Sequence, residues 1–306
     1  MRIAIMGSGG VGAYVGARLQ AAGEEVVFIA RGAHLKALQQ DGLRIESPDV
    51  PLYLDKVTAV EDASGSGPFD MIIVAVKLWD TETAARTLHA LVGPQTRVVT
   101  LQNGIDSVNL ISRQLSSTVV LGGVIYLSAV IDRPGVIRSP GGFHRIVVDG
   151  NNGDPVIAKF HAACNCVAGL EAEISDNVAV TIWEKFITLT SISGATTLLR
   201  ASMGQILANP ETRIFQSQLI AEAIAVARAA GIAIRDNLQD EIMTKLAAMP
   251  FSFRASMAED LERGKPLELQ WLSGRLHGLG LEFGVPTPAH SAVYRALVLY
   301  EKGNPV

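Results

Sequence analysis

The chain has 306 residues, 48% of them apolar, and a formal net charge of −4. That length exceeds what one compact core ordinarily takes and predicts two domains, with enough apolar residues to fill both. The mild acidity, with no block of basic residues, argues against a nucleic-acid partner and supplies no patch for an anionic membrane. The longest apolar stretch, Val119 to Ile131, is too short to span a bilayer and contains two glycines. Cys164 and Cys166 are spaced C-x-C with no histidine pair at zinc spacing, so reduced core thiols and no metal site are expected. Met1 runs directly into an apolar segment and leaves no room for a signal peptide, which predicts a soluble cytoplasmic protein.

Arg2 to Met6 has isoleucines at alternate positions and reads as a buried strand. Gly7, Gly9 and Gly12 follow at G-x-G-x-x-G spacing, and Ala13 to Ala22 reads as an Ala-rich helix ended by Gly23. Between a strand and a helix, the first glycine permits a tight turn, the second lets backbone approach a pyrophosphate, and the third lets helix pack on strand. The helix N-terminus then holds the phosphates. Val26 to Ala30 is the next apolar run. An NAD-preferring site carries an acid near its end, but here stands Ala30-Arg31-Gly32, with no acid until Asp41. Arg31 can pair bidentately with a 2′-phosphate, or it is simply a solvated loop residue. NADP(H) is the expected cofactor.

Gly32 to Gln40 reads as a helix, Leu43 to Thr58 as short edge strands, and Phe69 to Val76 as a buried strand. A helix over Thr81 to Leu91 is expected to stop at Gly93-Pro94, followed by a strand over Arg97 to Leu101 and a helix over Ile105 to Leu115. Thr118 to Ala129 is strand-like, and Ile137 to Val148 reads as a hairpin turning at Gly141-Gly142. One more helix and strand lie within Ala158 to Ile174. After Asp176 the pattern is helical: Val178 to Leu199, Glu211 to Ala230, Asn237 to Ala248, Ser256 to Arg263, Leu267 to Gly280 and Ala289 to Glu301. The fold class is therefore α/β, a Rossmann-type doubly wound sheet over residues 1–174 with an all-helical domain over 175–306. The helical domain has more apolar faces than one small bundle needs, which allows a homodimer.

Ligands of open α/β sheets bind outside the carboxyl ends of the strands. Lys77 and Asn103 stand at two such ends, and each reads equally as a ligand contact or as a surface lysine and a turn asparagine. In the helical domain, Lys185 opens a stretch with no further charge until Arg200. It either snorkels past the core or is held partly desolvated, where its pKa drops and it can give up a proton near neutrality. Ser256-Met257-Ala258-Glu259 matches a capping box, a role compatible with holding a substrate carboxylate. Glu268 is expected in the first turn of a helix, where an acid already suits the macrodipole.

Taken together, G-x-G-x-x-G with a following Arg, V-K after the FDMIIVAV strand, L-Q-N-G, W-x-K, and Ser with Glu twelve residues later resemble the ketopantoate reductase (2-dehydropantoate 2-reductase) family, in family order along nearly the whole chain. The resemblance implies NADPH-dependent reduction of a small 2-oxo acid by hydride transfer between two domains. It implies that Gly7, Gly9, Gly10, Val11, Gly12, Arg31, Lys77 and Asn103 bind NADP(H). Lys185 would be the general acid, with Glu268 beside it setting its charge. Asn103, Ser193, Ser256 and Glu268 would contact substrate. The family's asparagines four and eight residues beyond the lysine are replaced by Leu189 and Ser193, and one just before Gly274 by Ser273. Leu189 cannot hydrogen-bond a substrate hydroxyl, so preference among 2-oxo acids is expected to differ unless Thr190, Ser193 or Thr196 compensates. Ketopantoate leads as substrate. Another 2-oxo acid, a dehydrogenase working in the oxidative direction and a non-catalytic NADPH sensor are the alternatives.

Overall fold

The structure, a computed structural model, describes residues 1–116, 119–142, 144–151 and 153–304. Thr118, the start of one expected strand, lies outside the described residues. The chain divides into two compact units, Met1–Val178 and Ala179–Val306.

The first unit begins with β1 (Arg2–Met6), α1 (Gly10–Ala21), β2 (Glu25–Ile29) and α2 (Gly32–Asp41). Short strands β3 (Leu43–Glu46), β4 (Leu52–Leu54) and β5 (Thr58–Val60) precede β6 (Phe69–Val74), α3 (Thr81–Leu88), β7 (Val92–Thr100) and α4 (Ser107–Ser112). β8 (Val120–Tyr126), β9 (Val130–Arg133), β10 (Val136–Arg138), β11 (Arg145–Asp149), α5 (Pro155–Asn165) and β12 (Glu171–Ser175) complete it. The main sheet has the order β12-β11-β8-β7-β6-β1-β2-β5, parallel throughout except where β11 runs antiparallel to β8. Successive strands leave β1 first through β2 and then through β6, so the strand order reverses between β1 and β6. Ligands of such sheets bind at that crevice.

Why the strands read as unbroken apolar runs is now visible. Ile3, Ile5, Met71, Ile73 and Val99 face one core, with α1 and α5. Their alternates Ala4, Met6, Ile72, Val74 and Val98 face the other, with α3 and α4. A parallel sheet covered on both faces leaves no polar side to its strands.

A second sheet, in the order β4-β3-β10-β9, closes over α1. That helix is consequently buried nearly all round, from Gly12 to Leu19. Even Arg18 is 3% exposed; its guanidinium lies 4.9 Å over the Tyr14 ring and donates to the Val50 carbonyl.

Several expectations are corrected. Ile137 to Val148 is no hairpin: β10 pairs with β3 and β9, whereas β11 pairs with β8 and β12 in the other sheet. Gly141 and Gly142, at φ +86° and +91°, carry the chain across, and the Gly142 amide donates to Asp49. Gly93-Pro94 lies inside β7, where the register shifts against β6 and the proline escapes the ladder. The helix expected over Ile105 to Leu115 is only α4. Cys164 is buried, but Cys166 is exposed. Ile174 lies in β12, which pairs with β11.

The second unit is helical, with α6 (Val178–Leu198), α7 (Met203–Ala208), α8 (Pro210–Ala229), α9 (Leu238–Ala247), α10 (Ser256–Glu262), α11 (Ser273–Phe283) and α12 (Pro288–Leu297). No helix among the described residues is long and apolar enough to cross a membrane. Helix α7 was not expected; it carries a complete capping box, Ser202 with Gln205. The box expected at Ser256 does not form, because Ala255 is the N-cap and Ser256 the first helical residue. The run Leu267 to Gly280 is broken, a 3-10 turn over Glu268–Trp271 giving way at Leu272 to α11.

Asp154 shows how the first unit anchors a helix. It caps α5 by accepting from the Val156 amide at 2.8 Å and meets Arg97 of β7 at 2.6 Å, at 7% exposure. Burial pushes its pKa up, but the Val156 amide, the Arg97 guanidinium and the Ile157 amide together outweigh burial and hold it below the ordinary value. Asp154→Ala is expected to lower unfolding stability by about 2–4 kcal/mol, from the lost cap and an unpaired Arg97. Against Asp154→Asn, the wild type's advantage should be full above the unfolded-state pKa of about 4 and fade as pH falls through the lowered folded-state value. Urea midpoints taken from about pH 7 down to about pH 3 measure both.

Candidate active site

In the first unit, the candidate residues gather at the carboxyl ends of β1, β2, β6 and β7, next to the reversal of strand order. Gly7 has φ +98°, and a Cβ there would lie 2.7 Å from the Val76 nitrogen, so only glycine fits between the ends of β1 and β6. A Cβ on Gly12 would collide with the Gly7 carbonyl, and one on Gly10 with the Ala129 carbonyl. Gly9 is different. A Cβ there would meet nothing within 4 Å, so its backbone borders open space.

Helix α1 starts at that place with no side-chain cap and no acid in its first turn, and its first intrahelical bond is Ala13 N–H to Gly9. The amides of Gly10, Val11 and Gly12 therefore precede the helical ladder and carry the positive end of the dipole. Ser8, 4% exposed, keeps its hydroxyl oxygen without a hydrogen-bond partner among the described residues. An uncapped helix end, an open glycine and an unpartnered hydroxyl fit a pyrophosphate.

Arg31, two residues past the end of β2, is the exposed N-cap of α2. Lys77 is exposed just after β6, with its ammonium 5.6 Å from the Trp79 ring centre. Asn103 is partly exposed beyond β7. Gln102, a residue sequence reasoning passed over, ties these last two ends together by donating to the Val76 carbonyl at 2.9 Å and to Thr81 Oγ1 at 2.7 Å. Its signal was a polar residue directly at a strand end. His34 of α2 was missed as well. It accepts from the Gly135 amide at 3.1 Å, joining α2 to the turn that leads into β10.

In the second unit, Lys185 lies about two turns into the 21-residue helix α6, and its i+4 and i+8 neighbours Leu189 and Ser193 follow on the same side. It is partly exposed, yet burial pulls its pKa down to about 8, and the Glu268 carboxylate works in the opposite direction. Glu268 itself is 8% exposed. The structure thus brings together two residues far apart in sequence. Ser256 joins the same helix through its neighbour: the Ala255 amide donates to Thr196 Oγ1 at 3.4 Å. Since Ala255 is the cap, the Ser256 hydroxyl is not consumed in capping.

Of the hydroxyls near Leu189, that of Thr190 is buried without a hydrogen-bond partner among the described residues. Thr196 donates to the Ile192 carbonyl, and Thr190, Ser193 and Thr196 are at most 1% exposed. Leu189 is partly exposed. Among the described residues no cluster of His, Cys, Asp and Glu could hold a metal ion.

Residues 3–152 match the family model described as ketopantoate reductase PanE/ApbA, and residues 177–301 match its C-terminal counterpart. The chain is 31% identical to a 2-dehydropantoate 2-reductase of Archaeoglobus fulgidus, over 99% of this chain and 97% of that protein. It is 29% identical to another of Mesorhizobium japonicum, over 96% and 95%. A PanE/ApbA family ketopantoate reductase of Ralstonia eutropha JMP134 superposes with a TM-score of 0.89 at 30% identity, covering 98% of each chain. The same fold recurs at 23% identity in D-mandelate dehydrogenase, with a TM-score of 0.86. With both units matched, the chain belongs to the ketopantoate reductase PanE/ApbA family and is an oxidoreductase acting on CH–OH groups.

Proposed function

We propose that the protein reduces 2-dehydropantoate to pantoate with NADPH, Lys185 serving as general acid. The observation that carries this reading is the lysine itself, shifted to about 8 by burial, with the Glu268 carboxylate favouring its charged form. A proton donor works best with a pKa near the operating pH. When bound, the reduced nicotinamide supplies a hydride to the carbonyl carbon. The oxygen then gains negative charge, and the Lys185 ammonium donates its proton there, stabilising the transition state more than the ground state.

Gly9, Gly10, Val11 and Gly12 would offer backbone to the pyrophosphate, with Gly7 shaping the turn, and Lys77 and Asn103, at their strand ends, would contact the nicotinamide. The exposed Arg31 guanidinium would take the 2′-phosphate; it forms no ion pair among the described residues, and no acid stands beside it at the end of β2. In the second unit, Ser256 takes the substrate carboxylate and Glu268 orients the substrate while keeping Lys185 charged. Ser193, being buried, contributes through the wall of the site. A second reading rests on Leu189: an apolar, partly exposed side chain one turn beyond the donor favours a 2-oxo acid lacking the ketopantoate hydroxyl.

Steady-state oxidation of NADPH by a panel of 2-oxo acids, ketopantoate included, tests these assignments. Lys185→Ala is expected to lower kcat by about a hundredfold or more with little change in NADPH affinity. For the wild type, the ammonium is present below about 8 and lost above it, so kcat for reduction should fall as pH rises through about 8. An unaltered kcat in Lys185→Ala would remove the acid role. Gly9→Ala should leave unfolding stability unchanged within about 0.5 kcal/mol, its Cβ entering open space, while NADPH binding weakens about tenfold or more. Arg31→Ala should weaken NADPH about tenfold or more and leave NADH unaffected, which titration of both cofactors would show.

A further inference from the structure

Glu268 does not stand on a regular helix but on a short 3-10 turn, and such a turn holds a side chain accurately only if it is held itself. The last part of the chain holds it at several points. Before the turn, the Leu267 amide donates to the Glu301 carbonyl at 2.9 Å. Within it, Gln270 accepts from the Tyr294 hydroxyl at 3.0 Å. Directly after it, Ser273 meets His290 Nδ1 at 3.2 Å. One turn further, His277 Nδ1 meets Ser291 at 2.8 Å, and its ring stacks on Tyr294 at 5.6 Å.

His290 is fully buried, and its Nε2 lies 2.9 Å from the Leu219 carbonyl of α8. A carbonyl only accepts, so Nε2 carries the proton, Nδ1 is an acceptor, and the Ser273 hydroxyl is the donor. The start of α12 is fixed in turn: Glu222 of α8 accepts from the Ala289 and His290 amides at 2.7 and 2.9 Å. The groups facing His290 are thus Ser273 on α11, the Leu219 carbonyl on α8 and, through the helix start, Glu222. Gly194 of α6 completes the assembly, since a Cβ there would stand 3.3 Å from Ser273 Oγ and 3.4 Å from Val293 of α12. The clamp therefore bears on the same helix that carries Lys185.

We propose that α12, through His290 and Tyr294, is the positioning device that holds the Glu268 carboxylate against Lys185. His290 and Tyr294 are positioning residues: they act through Ser273 and Gln270. The inference rests on the assignment of Lys185 as acid, but it has a readout of its own.

Ser273→Ala, Tyr294→Phe and the double variant remove the two side-chain hydrogen bonds without emptying the core. In the free enzyme, lysine side-chain NMR should show the Lys185 midpoint moving down by about half a pH unit or more in the double variant, because a carboxylate that drifts away no longer favours the ammonium. The alkaline limb of kcat should move down with it. An unfolding midpoint that falls while the Lys185 titration stays within about 0.2 pH units of wild type would overturn the proposal and leave the clamp purely structural. If Ser273→Ala fails to fold, Tyr294→Phe, on a partly exposed ring, carries the test alone. Absence of turnover with every 2-oxo acid would sink the functional reading but leave the NMR titration to decide this one.

Discussion

The first unit depends on how tightly the start of α1 is pressed into the end of the parallel sheet. Gly7, Gly10 and Gly12 each stand where a single methyl group would strike backbone: Val76 in β6's continuation, Ala129, and Gly7 itself. That approach brings uncapped helical amides to the crevice where the strand order reverses, and leaves open space only at Gly9. The helix has no freedom to retreat, because the second sheet covers its other side. Arg18 is the cost of such enclosure. Its charge is buried over Tyr14 with a carbonyl as partner, a compromise that a helix with one solvated face would avoid.

The second unit solves a related problem with the opposite means. A lysine on a helix of mainly apolar and hydroxyl residues is costly to keep charged, and desolvation draws its pKa down. Helix α6 limits the polar cost elsewhere: Thr188, Ser191 and Thr196 donate to carbonyls of the preceding turn. At Lys185 the Glu268 charge offsets part of the desolvation. The result is an amine whose pKa is drawn down to about 8.

Much of this could be read from local pattern. The glycine spacing, the strand-helix alternation of the first half and the helical periodicity of the second all reflect contacts between residues a few positions apart. Misreadings arose where distant segments decided the outcome. Gly141-Gly142 looks like a hairpin turn from either side, yet its flanking strands find better partners in different sheets. Gly93-Pro94 looks like a stop signal, yet a register shift against β6 accommodates it. Ser256 has the spacing of a capping box, yet the hydroxyl of Thr196, on another helix, takes the amide at the start of α10 and the helix begins one residue earlier than the box requires.

The sequence by itself determined the glycine loop, the arginine without an acid, and a lysine isolated in an apolar stretch, because each is a property of neighbouring residues along one element. Only tertiary structure decided that His290 is a singly protonated ring bound to Ser273 and that Thr196 is tied to the segment bearing Ser256, and it alone carries the Glu268–Lys185 pairing that the family resemblance implied. These are pairings between elements. Their distances are set by how helices pack, and no spacing along a single helix or strand encodes them.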